Sequence, residues 1–446
     1  MNTPSQIVEK IEECLSQKND EELKKEIANL DAEDLADIIN GLDHGKKKIF
    51  RMIEPEKAGQ VLFLLNRHSL NQILKNISRK RLGQLFGHLS TDEEADVVEM
   101  MPEYRTDEAL GEIPSEDKKE VQELLKYPED SAGSLIQKEI LKVKKNATVS
   151  DAINNVRKLI DEGEENIHNL FVTDEDEKLV GVAPLQKLLL VKPETKIADI
   201  MDSEILSVPA ETDQEEVANI FKENDLVSLP VVDSENRLIG RILVDDVMDV
   251  VSEEHTEDMF KMAGVSKEDH VLDPAFVSVK RRLPWLMINL ATAFLAAGAV
   301  GLFQNTIQRF VLLAVYMPIV AGMGGNAGTQ VITVIVRGIA LDEIKFVKVR
   351  KLLFKEIFAG FGNGFATGII TGAVAYLFNG TYMLGVVVFL AIVINLIIAG
   401  IFGTLVPLTL KYFKLDPALA ATVFVTTATD VFGFLAFLGL ASVMLV

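Results

Sequence analysis

The sequence predicts a multidomain membrane protein in which an all-α superhelical N-terminal domain and an α/β pair of repeats precede an all-α domain of five transmembrane helices. Three observations predict this order: a helical repeat in the first 130 residues, a mixed repeat after it, and five long apolar stretches that end the chain. Charge divides the chain in the same way. Residues 277–446 carry 12 basic and 5 acidic residues, whereas residues 1–276 carry 33 basic and 61 acidic residues.

The acidic surplus of the first part restricts the partners of the chain. It disfavours nucleic acid, whose phosphates would be repelled, and leaves cation binding or simple solubility as its purpose. Cys14 is the only cysteine, and the six histidines do not fall at metal-ligand spacing. Disulfide scaffolds and thiolate or imidazole zinc sites are therefore excluded. The chain has no phosphate-binding loop and no nucleophile beside a base, so we predict that it is not an enzyme.

A helix-start signal recurs within residues 20–130. It occurs at intervals of 23, 24, 12 and 24 residues, at Leu30-Asp31, Ile53-Glu54, Ile77-Ser78, Leu89-Ser90 and Ile113-Pro114. A short amphipathic run follows each signal, which is typical of stacked helical pairs in a superhelix. In one of these runs Asp92 and Asp96 share a helical face at i, i+4 spacing. Spacing alone leaves both a solvated face and a metal site open for this pair.

A second repeat extends from about residue 133 to residue 250. Ile140-Leu141 matches Ile205-Leu206, and the segment LFVTDEDEKLVGV matches LPVVDSENRLIGR. Each copy is predicted to run strand, helix, strand, acidic turn, strand, helix.

Five apolar stretches are each long enough to cross a hydrocarbon core, which takes about 20 residues. They cover residues 283–303, 311–336, 357–378, 384–408 and 418–446. Basic residues mark the cytoplasmic ends of membrane helices, and here they are Lys280, Arg281, Arg282, Lys345, Lys348, Arg350, Lys351, Lys355, Lys411 and Lys414. The N-terminus is therefore predicted to lie in the cytoplasm and the C-terminus outside. The start of the chain lacks the pattern of a signal peptide, so we expect the membrane helices to direct insertion.

Small residues form stripes on two of these helices. Helix three carries Gly360, Gly364, Gly368 and Gly372, and helix four carries Ala391, Asn395, Ala399, Gly403 and Pro407. Such stripes let helices approach closely in lipid, so helix packing is the favoured interpretation.

Two segments point to ion transport. Helix two places Gly322, Asn326 and Gln330 on one face after Pro318, and helix five places Asp430 one turn beyond Thr426. A carboxylate at mid-membrane costs at least about 2.5 kcal/mol on insertion scales, so it needs a partner, a cation or a water-filled path. No basic residue lies deep in any predicted span. Asp430 is therefore predicted to be a cation site, and so few helices per chain suggest a homo-oligomer.

The mixed repeat resembles tandem CBS domains, and the order of parts resembles the MgtE family of magnesium channels. The segments GGNAGTQ in helix two and TTATD in helix five carry the family resemblance most specifically. It implies an acidic helical N-domain over residues 1–131, CBS domains over 132–198 and 199–245, a plug or linker helix within 246–276 and a pore domain over 277–446. The plug helix itself would cover about residues 246–263. The resemblance also implies a homodimer in the plasma membrane with a central pore.

Site residues follow from the same resemblance. Asp430 matches the pore aspartate that holds hydrated Mg²⁺. Independently of the resemblance, we expect carbonyls near Thr426 and the amide of Asn326 to hold such an ion through its waters. Asp92 and Asp96 match an acidic pair that binds regulatory Mg²⁺. The acids that resemble the partners of this pair are Glu215, Asp225, Asp246, Asp249, Glu254 and Glu257.

ATP binds to the CBS pair in some members of that family, through a hydroxyl residue followed by an aspartate. This chain departs from the pattern. Lys187 stands at the aspartate position of the first copy, and Leu243 stands at the hydroxyl position of the second. These departures argue against ATP as a cofactor.

The sequence thus predicts a Mg²⁺-selective channel that cytosolic Mg²⁺ closes by bridging acids of the N-domain, the CBS domains and the plug. The alternative is an ion-coupled secondary carrier of Mg²⁺ or Co²⁺, which would share the buried carboxylate. No inverted repeat or second intramembrane ionisable residue supports coupling. A membrane-anchored sensor or enzyme is the weaker alternative.

Overall fold

A computed structural model of the chain describes residues 4–17, 19–42, 44–115, 117–161, 167–267, 269, 271, 273–341, 343–344, 348–419 and 421–445. Lys345, one of the basic residues used to predict orientation, lies outside this set. The chain divides into two compact units, Met1–Glu253 and Glu254–Val446. The first unit contains the helical N-terminal part and the α/β repeats, and the second contains the membrane helices.

Short helices build the N-terminal part of the first unit. They are α1 Pro4–Gln17, α2 Asp20–Ala28, α3 Ala32–Gly41, α4 Lys46–Met52, α5 Pro55–Leu64, α6 Arg67–Leu74, α7 Arg79–Phe86, α8 Thr91–Met100, α9 Thr106–Glu112 and α10 Lys118–Leu124. Asp31, Glu54, Ser78 and Ser90 are the N-cap residues of α3, α5, α7 and α8, as predicted. The fifth predicted start was wrong: Pro114 begins a turn, and α10 starts at Lys118.

Two buried arginines repeat at an interval of 24 residues and explain how these helices stack. The Arg81 guanidinium donates to the carbonyl oxygens of Phe50 and Ile53 at the end of α4. The Arg105 guanidinium donates in the same way to those of Leu74 and Ile77, at 2.6 and 2.8 Å, at the end of α6. Each arginine satisfies carbonyls that a helix end leaves without an intrahelical donor. Alternate helices consequently pack in succession, α3 on α5, α5 on α7 and α7 on α9.

Two copies of one α/β motif follow and confirm the predicted repeat. The first contains β1 Lys142–Lys144, α11 Val149–Asp161, β2 Asn169–Thr173, β3 Leu179–Pro184 and α12 Leu185–Leu190; the second contains β4 Val208–Pro209, α13 Gln214–Asn224, β5 Ser228–Val232, β6 Leu238–Leu243 and α14 Val244–Ala263. Each sheet pairs its first two strands in parallel and its last two antiparallel. The acidic turns match as well, because Glu177 and Asn236 both adopt φ of 63°.

The two copies pack on each other and on the helical part. Backbone hydrogen bonds join Leu179 to Asn236 and Leu238 to Glu177, at 3.0 and 3.1 Å. A continuous core then connects the N-terminal helices to the second copy, since buried side chains from α10, β5 and α14 belong to one cluster. This packing brings α8 and the start of α14 into the same unit.

Five helices of the second unit are long and apolar enough to cross a membrane, as predicted. They are α15 Ala275–Gly301, α17 Leu312–Ala340, α18 Val349–Asn379, α19 Tyr382–Tyr412 and α20 Ala421–Met444, with the short α16 Gln304–Arg309 between the first two. Helix α18 begins eight residues before the predicted span and includes Glu356, whose side chain is buried.

Helix α19 is the centre of the membrane unit. An added Cβ at Gly360, Gly364 or Gly372 of α18 would lie 2.5–2.8 Å from the backbone of α19, so these glycines permit close contact between the two helices. The stripe of α19 faces other neighbours: Gly403 lies against Val331 of α17. Helix packing is therefore confirmed as the role of the glycine stripe of α18.

Candidate functional site

Asp92 of α8 and Asp246 of α14 meet at one glutamine side chain. The Nε2 atom of Gln137 lies 3.3 Å from Oδ2 of Asp92 and 3.2 Å from Oδ2 of Asp246. The second oxygen of Asp92, Oδ1, is buried and has no hydrogen-bond partner among the described residues. The structure thus brings together two of the acids expected to bind regulatory Mg²⁺.

The carboxylates of Asp92, Asp96 and Asp246 all have raised pKa values. The pKa of Asp246 is raised mainly by burial and then by the charge of Asp92. Burial also raises the pKa of Asp92, although a hydrogen bond from Ser90 partly offsets this increase. Burial and the charge of Asp92 raise the pKa of Asp96 to about 8. Among the described residues, no Lys, Arg or His pairs with any of these three carboxylates. A cation at this position would relieve the repulsion between them.

Glu94 is an acid that the sequence analysis missed. It lies on the face of α8 opposite Asp92 and Asp96, its side chain is 1% exposed, and neither of its oxygens has a partner among the described residues. Burial, followed by the charges of Asp117 and Glu139, raises its pKa to about 8. Burial of Glu94 could not be predicted from the sequence, because Glu94 falls in an acidic run that resembles a solvated helix start.

Other expected regulatory acids of the first unit lie elsewhere. Glu215 and Asp225 are exposed at opposite ends of α13, about 15 Å apart along the helix axis. Asp249 is exposed on α14, one turn beyond Asp246. No hydrogen bond or ion pair among the described residues joins these three acids to Asp92, and their metal role stays a prediction. Within the described residues, no group of three or more His, Cys, Asp and Glu side chains is arranged to hold a metal ion.

Glu254 and Glu257 belong to the second unit, on the last turns of α14. Glu254 is half-buried. Burial favours a raised pKa for Glu257, but hydrogen bonds from Lys261 and Lys267 outweigh it and leave the pKa below its ordinary value. Lys261 also contacts Asp416 in the segment before α20, at 2.5 Å. Lysine side chains thus already supply positive charge to Glu257.

The expected pore residues lie on α17 and α20, which pack against each other. Asp430 is half-buried, and among the described residues its carboxylate has no hydrogen bond or ion pair. The Thr426 side chain lies against Gly325, which precedes Asn326, and its hydroxyl donates to the carbonyl of Thr422 at 2.8 Å. Asn326 is exposed on the surface of the single chain. The structure places Thr426 beside the Asn326 segment, and Asp430 has no protein partner within the part of the chain that the structure describes.

Asn395 organises the helices around this carboxylate. Its side chain is fully buried, and its Nδ2 atom donates to the carbonyl of Val320 at 2.8 Å. An added Cβ at Gly324 or Gly433 would approach the amide to 2.3 or 2.7 Å. Asn395 therefore joins α19 to α17 and to α20 near Asp430. The sequence showed it only as one member of a small-residue stripe.

Lys187 and Leu243, at which the repeats depart from the nucleotide pattern, each make contacts within their own copy of the repeat. The Lys187 ammonium donates to the carbonyl of Ile200 at 3.3 Å, and the Leu243 side chain is buried in β6.

Five apolar helices, one of which carries a carboxylate with no partner among the described residues, are joined to a tandem α/β repeat and an acidic helical part. Together they define a membrane transport protein with an attached sensor. Family models agree: one described as a divalent cation transporter matches residues 317–440, one described as the MgtE intracellular N domain matches 44–130, and the CBS domain matches 132–193 and 197–253. The chain belongs to the MgtE family. This confirms the prediction that it is not an enzyme.

Individual relatives support the same assignment. The chain is 32% identical to the magnesium transporter MgtE of Bacillus subtilis, over 83% of this chain and 82% of the relative. It is 34% identical to that of Thermus thermophilus, over 73% and 72%. Among solved structures it resembles the cytosolic domain of the Mg²⁺ channel MgtE in complex with ATP, at 30% identity and a TM-score of 0.51, over 55% of this chain and 99% of that one.

Stability of the first unit should depend on pH in the absence of divalent cations. A carboxyl whose folded pKa is about 8, as for Asp96, keeps its proton in the native state after the unfolded chain has lost it at about 4. The free energy of unfolding should therefore fall between about pH 5 and 8, by up to about 1.4 kcal/mol per pH unit for each such carboxyl. Denaturant titrations of the 1–253 fragment in EDTA would measure this. In Asp96→Asn the free energy of unfolding should decrease less steeply with pH. In Asp37→Asn, an exposed control on α3, it should decrease as steeply as in wild type. Equal slopes in wild type and both variants would contradict the expected effect.

Close packing at Asn395 should be required for transport. Gly433→Ala would place a methyl group 2.7 Å from the Asn395 amide, so we expect α20 to shift and the ion flux in liposomes to fall at least severalfold. Gly362→Ala is the matched control, because an added Cβ at Gly362 meets no atom within 4 Å. Equal fluxes in the two variants would show that this contact does not position Asp430.

Proposed function

We propose that this chain is a Mg²⁺-selective channel of the plasma membrane, which cytosolic Mg²⁺ closes by binding to acids of the sensor. The observation that carries the proposal is Asp430, a half-buried carboxylate in a membrane helix that has no protein cation among the described residues. Relatives named as magnesium transporters, and one described as a Mg²⁺ channel, supply the identity of the ion.

The residues of α17 and α20 suit a hydrated ion. Mg²⁺ dehydrates reluctantly and usually keeps several waters while it contacts one or two carboxylates. Asp430 offers such a carboxylate, and the Asn326 amide could bind water of the same ion. The hydroxyl of Thr426 is already bonded to its own helix, so carbonyls near Thr426, rather than this hydroxyl, would hold the waters of the ion.

A homodimer would explain the exposed polar face of α17. Gly322, Asn326 and Gln330 are all exposed on the single chain, in a helix whose surroundings would otherwise be lipid. Amides at membrane depth are tolerated where they face protein or water. A second copy opposite this face would enclose a polar path and contribute a second Asp430. The positive-inside pattern would place the sensor in the cytoplasm and the C-terminus outside.

Closure would follow from charge neutralisation at Asp92 and Asp246. Both carboxylates lie within 3.3 Å of one nitrogen atom, so their nearest oxygens are no more than about 6.5 Å apart. Two charges at about 6 Å repel by roughly 3 kcal/mol at an effective dielectric near 20. Mg²⁺ that bridges Asp92 and Asp246 would replace this repulsion with attraction and compact the sensor, and it would also reduce the repulsion that Asp96 receives from Asp92. When cytosolic Mg²⁺ falls, repulsion would reopen it.

The end of α14 is suited to transmit this change. Met262 packs against a cluster formed by Ile332, Val336, Ala418 and Val425, which belong to α17, α20 and the segment between α19 and α20. A movement of α14 would therefore reach the helices that carry Asn326 and Asp430. ATP has no part in this proposal, because Lys187 and Leu243 depart from the nucleotide pattern.

Planar-bilayer recordings of the purified full chain would test the pore. We expect Mg²⁺ currents that close as Mg²⁺ rises on the cytosolic side, and loss of cation selectivity in Asp430→Ala because the membrane carboxylate is gone. Glu343→Gln, an exposed carboxylate in the loop after α17, should behave as wild type. Saturable flux without channel currents, coupled to a proton or sodium gradient, would instead establish a carrier.

Limited proteolysis of the full chain would test the sensor. MgCl₂ should slow trypsin cleavage of residues 1–253 in wild type, and a triple variant with Asp92→Asn, Asp96→Asn and Asp246→Asn should lose most of this protection because no carboxylates remain to be bridged.

A triple control removes the same charge from exposed positions, with Asp37→Asn, Asp176→Asn and Asp199→Asn. It should retain the protection by MgCl₂. Unchanged protection in the Asp92 triple variant would reject the bridging role.

A further inference from the structure

Gln137 occupies the point between two acids that come from distant parts of the chain. Its Nε2 atom carries two hydrogens, one for Asp92 at 3.3 Å and one for Asp246 at 3.2 Å. These acids are separated from Gln137 by 45 and 109 residues, in opposite directions along the chain. One neutral amide thus holds together the helical part and the start of α14.

The backbone around Gln137 is fixed from both sides. Its N–H donates to the carbonyl of Arg241 at 2.8 Å, and the Arg241 N–H donates back at 3.0 Å. Gly240 permits this approach, because an added Cβ there would lie 2.6 Å from the Gln137 carbonyl oxygen. The next residue, Lys138, donates its N–H to the Thr91 hydroxyl at the start of α8. The amide therefore extends from an anchored position, and only its side chain is free to rearrange.

The amide satisfies the two acids incompletely. Hydrogen bonds from a neutral amide supply partial charges, whereas a divalent cation between two carboxylates supplies a full compensating charge. Asp92 retains a buried oxygen without a partner among the described residues, so the acceptors at this point exceed the donors. An ion that bridges Asp92 and Asp246 would take the position that the amide nitrogen now holds.

We propose that the Gln137 side-chain amide is a neutral substitute for the regulatory cation: it holds Asp92 and Asp246 when Mg²⁺ is absent, must leave when Mg²⁺ binds, and so sets the Mg²⁺ concentration at which the sensor responds. The inference rests on the proposed regulatory role of those two acids. It assigns Gln137 a positioning role through hydrogen bonds that compete with the ion.

Two substitutions should shift the response in opposite directions. Gln137→Met keeps the length of the side chain but donates no hydrogen bond. In this variant Mg²⁺ no longer has to displace hydrogen bonds from Asp92 and Asp246 in order to bind them. The Mg²⁺ concentration at which half of the protection against hydrogen exchange is reached, here called the midpoint, should become about tenfold lower. This is the size expected for the loss of a hydrogen bond to a charged group. Gln137→Lys supplies a tethered ammonium, so protection should appear without Mg²⁺ and the midpoint should move to higher Mg²⁺.

The measurement is hydrogen exchange of the detergent-solubilised full chain, followed by mass spectrometry of the peptides that contain α8 and the first turns of α14, during a MgCl₂ titration. Gln84→Met, at an exposed position on α7, is the matched control and should keep the wild-type midpoint. Opposite shifts for Gln137→Met and Gln137→Lys support the inference, and the lysine variant retains a readout if the methionine variant folds poorly.

Other outcomes overturn it in distinguishable ways. Midpoints that rise in both variants would make the amide oxygen a ligand of the ion, and unchanged midpoints would leave Gln137 a purely structural contact; in both cases the regulatory role of the acids survives. If wild type itself shows no Mg²⁺-dependent protection in α8, the proposed function of the sensor fails and the inference fails with it.

Discussion

Repulsion between buried carboxylates is the constraint on which the sensor depends. Asp92, Asp96 and Asp246 lie close together without a basic partner among the described residues, and each pays for burial with a raised pKa. The fold accepts this arrangement because the segment around Gln137 is bonded to both sides at once: its backbone pairs with Arg241, and its side chain bonds two of the acids. A strained acidic cluster with fixed surroundings is suited to respond to a cation.

In the membrane unit, close helix packing rather than charge positions the candidate site. Asp430 is half-buried in α20 and has no partner among the described residues, so its position is set by the packing of its helix rather than by a bond to its side chain. Gly324 and Gly433 let α17 and α20 close around the buried amide of Asn395, and the glycines of α18 hold α19 from the other side. Steric fit at these contacts, rather than a hydrogen bond to Asp430, sets the geometry of the candidate pore.

Local patterns in the sequence predicted much of this fold. Helix starts at Asp31 and Ser78, the repeated acidic turns and the five apolar helices all depend on neighbouring residues, and all were found in the structure. The contacts of Gln137 and Asn395 could not be predicted, because they join residues far apart in the chain. Burial of Glu94 was hidden for a similar reason: its surroundings come from α10 and from Glu139.

The acids expected to bind regulatory Mg²⁺ also differ in how much positive charge the protein already supplies to them. Glu257 and Asp416 share the ammonium of Lys261, which keeps the end of α14 paired with the segment before α20 without any metal. Asp92, Asp96 and Asp246 have no such lysine among the described residues. Since a cation binds most strongly where existing charge compensation is weakest, the Mg²⁺ response should reside mainly in the first unit. Under the proposed closure, the ion pairs of Lys261 would keep the end of α14 attached to the segment before α20 whether or not Mg²⁺ is bound.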